Sequence, residues 1–176
     1  TLFPPMKRLA TALFTLCMFT TLAAQTAVPR PPQRLFYSGH SLLDDPLPRD
    51  VAAIAASLGT PLQHWERDTP PGSSMRERVA AGAWPREAVD TLVVTEQHTL
   101  VGNLVWNDSA GQLRQLHERL IAANPRGRTW FYASWLNLDD KTDPRRWIAY
   151  ERAASPVWQC LATRINGSRA AEGRSD

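Results

Sequence analysis

Alternating strand and helix signals over residues 35–166 predict an α/β domain: a doubly wound parallel sheet covered by helices on both sides, α/β/α. Two observations carry this. The apolar runs LFYS, TLVVTEQ and TWFYASWL lack the polar alternation of half-exposed strands, as buried parallel strands do. Segments with helical spacing of apolar residues separate them. A third observation concerns function. Polar clusters fall at the predicted strand ends, at Gly39-His40-Ser41, at Glu96-Gln97-His98 and over residues 137–140. In such sheets, sites form outside the carboxyl ends of the strands, where strand order reverses.

The first residues stand apart from that domain. From Met6 the chain reads MKRLATALFTLCMFTTLAAQTA, with Lys7 and Arg8 ahead of an apolar stretch and then small residues. This is the three-part pattern of a secretory signal peptide. Residues 1–27 are therefore expected to be upstream sequence plus a signal, and the mature protein to be secreted or periplasmic. The stretch is too short and too rich in Thr and Ala for a stable span of about 20 residues. A retained anchor or lipoprotein signal is the alternative, although Cys17 lies mid-run rather than at its end. Thr1 to Pro5 precede Met6 and read as translated upstream sequence.

Residues 28–34, VPRPPQR, form a proline-rich lead-in that suits neither a helix nor a central strand. LFYS is the first strand. DVAAIAASLG has helical spacing, with Asp50 in its first turn and Gly59 closing it. PLQHWER reads as a strand, TPPGSS as a loop, MRERVAAGAW as a short, weak helix and TLVVTEQ as a buried strand. SAGQLRQLHERLIAAN places Leu113, Leu116, Leu120 and Ile121 on one face, with Ser109 as a possible cap. TWFYASWL is a third aromatic, buried-type strand. DPRRWIAYERAASPVWQCLATRIN is a long helical pattern, expected to bend or break at Pro156. Residues 167–176 are expected to be an unstructured tail.

Charge and cysteine narrow the partners. The 176-residue chain has 20 basic and 17 acidic side chains. Lys7 and Arg8 belong to the leader, which leaves 18 against 17, so no nucleic-acid footprint is expected. Cys160, the single cysteine outside the leader, makes no internal disulfide or zinc cluster, and a buried structural thiol is its expected role. Asp139, Asp140 and Asp143 lack calcium-loop spacing and read as loop or cap residues. No phosphate-binding loop or dinucleotide glycine pattern occurs.

A nucleophilic serine needs a hydroxyl facing a cleft, a base, and N–H donors for the oxyanion. Ser41 has the address, after a strand and a glycine; alone, the string also fits a turn or capping serine. Glu96 beside His98 suggests a carboxylate–imidazole pair if the strand stays regular. His40 is expected to point away from Ser41, His117 to lie at the surface or an edge, and His64 to pack. Trp130 and Trp135 are expected in the core. Trp65, Trp84 and Trp106 fall near loops bordering the cleft, to stack on sugars, hold an acyl group or simply be buried.

A strand ending in Gly39-His40-Ser41-Leu42 and followed by a helix resembles the first motif of the SGNH hydrolases, the GDSL-type esterases and lipases. Histidine replaces their usual aspartate. The resemblance, over about residues 35–166, implies a flavodoxin-like sheet in 2-1-3-4 order and a catalytic Ser41. It also implies an oxyanion donor in the N–H of Gly72, matching the family's second motif. The third motif, G-x-N-D, is absent; Gln97 stands first as its amide donor, Asn103 second, and Asn107 is a further alternative. The family's D-x-x-H has no counterpart, since the last histidine is His117. The chain is therefore expected to lack the last βα unit and the base it carries; His98 is the alternative base within this sequence. The implied activity is hydrolysis of acyl or acetyl esters, carbohydrate esters included, without metal or organic cofactor. The alternative is a non-catalytic glycan- or peptide-binding protein on a degenerate scaffold.

Overall fold

In the computed structural model, residues 32–97, 100–133 and 143–171 are described. Strands β1 (Arg34–Ser38), β2 (His64–Asp68), β3 (Thr91–Val94) and β4 (Arg128–Phe131) form one all-parallel sheet in the order β2-β1-β3-β4. Helices α1 (Leu47–Ser57), α2 (Met75–Ala81), α3 (Leu100–Trp106), α4 (Ser109–Ala123) and α5 (Pro144–Ala171) accompany it. The chain steps to one side of β1 for β2 and to the other for β3. The order therefore reverses between β1 and β3, and the carboxyl ends of these two strands flank the switch point.

Alternation along β1 divides the core in two. Leu35 and Tyr37 pack with Val93 and Leu43, and against Leu47, Leu62 and Trp65, on the α1 side. Phe36 packs with Leu92 and Val94 on the other side. There Met75 of α2, Leu113, Leu116 and Leu120 of α4, and Trp158 and Leu161 of α5 complete a larger cluster. Burying a large apolar side chain contributes about 1.5–3 kcal/mol, so this second cluster dominates. The result is an α/β domain consistent with a flavodoxin-like three-layer fold.

Local chemistry starts and stops the helices. Ser74 caps α2 by accepting from the Glu77 N–H, while Glu77 reaches back to the Ser74 N–H at 2.7 Å. Gly82 ends that helix at φ +74, a left-handed conformation that glycine adopts without strain. Asp108, not Ser109, caps α4, its carboxylate accepting from the Gly111 N–H at 3.2 Å. A Cβ at Gly111 would lie 2.1 Å from Asp108 Oδ2, so a larger residue there would make the capping carboxylate shift. At the opposite end of the sheet, Asp90 Oδ2 accepts from the N–H groups of Gln33 and Arg34, fixing the start of β1.

Several expectations need correction. Among the described strands β4 has one neighbour, and Trp130 on it is 52% exposed rather than buried in the core. His117 is buried, with Nδ1 on Thr129 Oγ1 at 2.9 Å; its place in α4 turns it toward β4. Cys160 is exposed because Trp158 and Leu161 take the inward positions of α5. That helix passes through Pro156 and continues to Ala171, into the segment expected to be an unstructured tail. Ala154 and Trp158, both buried, anchor it on either side of the proline. Residues 1–27, His98, Trp135 and residues 137–140 lie outside the described residues.

Candidate active site

β1 ends at Ser38, and the chain turns through Gly39 and His40 into a short 3-10 turn, Ser41–Leu43. Leu43 plugs that turn into the core at 0% exposure, whereas Ser41 is exposed. The anchored leucine and the solvent-facing serine are consecutive faces of one tight turn. This holds the hydroxyl outward at the carboxyl end of β1, beside the switch point.

Two neighbouring segments are tied to this turn. From the β2–α2 loop, Ser73 Oγ donates to the Gly39 carbonyl at 3.2 Å, and the Gly39 N–H donates to Asp68 O at 3.0 Å. From the end of β3, the Glu96 carbonyl meets His40 Nε2 at 3.1 Å. The Leu42 N–H points at His40 Nδ1 from 3.4 Å. With Nδ1 accepting, the ring is the Nε2–H tautomer and donates to Glu96. His40 is thereby a buried strut between strand ends.

Gly72 sits in the loop at φ +68, which a β-branched or bulky residue would adopt only under strain. Gln97 is half-buried, and its N–H donates to Glu96 Oε1 at 2.8 Å. Asn103, on α3, is 1% exposed and donates from Nδ2 to the Gln97 carbonyl at 3.2 Å, bracing that segment from below. Asn107 in turn donates to Asn103 Oδ1. The turn of Ser41, the loop of Gly72 and the segment of Gln97 are thus joined by hydrogen bonds. His64 lies at the start of β2 with Nε2 on Glu66 Oε1 at 3.0 Å, away from the carboxyl ends.

Two buried charged groups hold this region: Glu96, read from the sequence as a carboxylate for His98 rather than as a brace, and Arg78, which was not read as part of the site. Glu96, 1% exposed, receives the Met75 N–H at 3.0 Å on Oε1 and the Ser109 hydroxyl at 2.6 Å on Oε2. Arg78, 2% exposed, donates to Ser38, Ser73 and Thr95. Burial pushes its guanidinium down to about 10, with Glu96, Asp68 and Glu77 opposing that shift. The available signal was spacing: in MRERV, Arg78 falls three residues after the buried Met75, on the inward stripe.

Of the loop tryptophans, Trp84 packs edge-on to Phe36 at 5.6 Å and Trp65 against the α1-side core, while Trp106 is 78% exposed. Arg76 Nη1 donates to the Trp106 carbonyl at 3.0 Å, which ties α2 to the end of α3. A cleft of about 380 Å³ lies elsewhere, between Gly111 and Arg114 of α4 and Leu161 and Arg164 of α5. None of the sequence-predicted site residues lines it. Among the described residues, no three His, Cys, Asp or Glu side chains converge as a metal site, and no helix is long and apolar enough to cross a membrane.

Fold and site together define a parallel α/β domain that presents a serine at its switch point. No protein-family model matches the sequence, and no curated protein does. The chain is similar to a solved structure of a protein provisionally described as a platelet activating factor from Streptococcus pneumonia. The TM-score is 0.41 at 17% identity, over 75% of this chain. The chain spans 64% of that protein's length.

Proposed function

We propose that this protein is an exported hydrolase of ester bonds with Ser41 as nucleophile. One observation carries the reading: the exposed Ser41 hydroxyl stands at the carboxyl end of β1, on a turn bonded to both the Gly72 loop and the Glu96–Gln97 segment. In this reading Ser41 Oγ attacks the carbonyl carbon of an acyl or acetyl ester as a base takes its proton. The N–H groups of Ser41 and Gly72, with the Gln97 amide, receive the negative charge on the carbonyl oxygen. The alcohol leaves with a proton, and water then releases the acid from the acyl-serine.

His98 is the base proposed within this sequence, since it directly follows Gln97 in the chain. The exposed Trp106 offers a stacking surface for a sugar, which favours carbohydrate esters. The test is a fluorophosphonate probe with Ser41→Ala and His98→Gln as partners. Labelling that disappears in the first variant and slows in the second supports the enzyme. A folded protein that takes no label instead fits the glycan- or peptide-binding reading. Export is tested by the mass of the protein recovered outside the cytoplasm, which should lack the leader.

A further inference from the structure

The guanidinium of Arg78 contacts all three strand-end segments of the candidate site. Nε donates to Ser38 Oγ at 3.2 Å, at the end of β1. Nη1 donates to the Ser73 carbonyl at 2.7 Å and to Ser73 Oγ at 3.1 Å, next to Gly72. Nη2 donates to the Thr95 carbonyl, just beyond β3. Ser73 Oγ passes the connection on by donating to the Gly39 carbonyl, two residues before Ser41.

We propose that Arg78 is a positioning residue that keeps the Ser41 turn, the Gly72 loop and the Thr95–Gln97 segment in one fixed arrangement. It acts on Ser41 through Ser73 and Gly39, and its catalytic consequence rests on the hydrolase reading above. An inward position of α2 would be filled at less cost by leucine or methionine, since a buried charge gives up its hydration. What an apolar residue cannot supply is five N–H donors in a rigid plane. Lysine fails too: its ammonium is a compact charge on a flexible stem and lacks the planar fork that spans these three segments. The hydrogen bonds of Arg78 go to backbone carbonyls and serine hydroxyls, while the carboxylates of Glu96, Asp68 and Glu77 favour its charge, so the hydrogen-bond pattern reads as alignment of chain segments.

The experiment compares the whole protein with Arg78→Lys and Arg78→Gln. Two measurements are made, amide hydrogen exchange and the kinetics of fluorophosphonate labelling. Exchange should quicken together over residues 39–43, 72–74 and 95–97, with residues 113–121 of α4 unchanged. The maximal labelling rate should fall by about 100-fold, the scale of a 1 Å misplacement, with the half-saturating probe concentration unchanged. Quickening confined to one segment, or spread through α4 in both variants, overturns the proposal. Labelling of both variants at the wild-type rate overturns it as well. If the wild-type protein takes no label, the hydrolase reading fails, and the exchange pattern still decides whether Arg78 aligns the segments.

Discussion

Gly39→Ala tests how tightly the nucleophile turn is set. A Cβ built at residue 39 lies 2.7 Å from Cδ1, 2.8 Å from Cβ and 2.9 Å from Cγ of Leu43. Ordinary carbon–carbon contact is about 3.5–4.0 Å, so either Leu43 or the turn must yield. Leu43 is 0% exposed and wedged among Leu35, Tyr37 and Val93, which leaves the turn to move. Overpacking of this kind costs about 1–3 kcal/mol. The same displacement carries Ser41, two residues on, out of place.

Leu43→Ala alone should cost about 2–5 kcal/mol. It removes Cγ and Cδ1 but keeps the Cβ, so it relieves two of the three close approaches. The double variant should therefore be more stable than the sum of the singles predicts, by at least about 0.5 kcal/mol, the lower end for residues in contact. Urea unfolding followed by tryptophan fluorescence measures all four corners of the cycle, and labelling of Ser41 is followed alongside. Strict additivity, or a Gly39→Ala protein with wild-type stability and labelling, would refute the claim that residue 39 must lack a Cβ.

Two further outcomes are expected. Glu96→Gln should be mild, since its carbonyl can keep the Met75 and Gln97 N–H groups and the Ser109 hydroxyl can reverse to accept. Glu96→Leu should cost about 1–3 kcal/mol for each buried donor left unmet, and unfolding midpoints in urea would reverse this order if the carboxylate were idle. Burial pushes the Tyr37 phenol up to about 12 from 10.0. The unfolded chain therefore loses that proton first, and the contribution of Tyr37 is complete below pH 10 and lost as pH rises toward 12. Its hydroxyl has no hydrogen-bond partner among the described residues, so Tyr37→Phe should keep stability near neutral pH and remove this alkaline slope.

The fold class was legible because the apolar runs and the helical spacings between them each point to one element type; the strand order came from the resemblance, since the runs do not say which strands are neighbours. Ser41 was legible as a polar residue placed where an apolar strand stops. Environment set by distant chain was not. Trp130 looks like core in TWFYASWL, yet β4 has one strand neighbour here, and nothing in that string tells an edge from a centre. His117 looks solvated among arginines and glutamates, but α4 turns it toward Thr129. Cys160 follows the opposite rule, because one residue of shift along a helix exchanges inside for outside. Arg78 and Glu96 were hardest to read, since their partners come from segments far apart in sequence.

Consecutive side chains of β1 meet unlike surroundings: Tyr37 enters an oily layer, and Ser38, on the reverse side, receives the guanidinium of Arg78. Slipping this strand by one position would drive a phenol against that cation and leave a small hydroxyl in a hole shaped for an aromatic ring. Misaligned pairings are therefore penalised from both sides at once. Such a penalty protects the central ribbon during folding, when shifted alignments with its neighbours would otherwise compete.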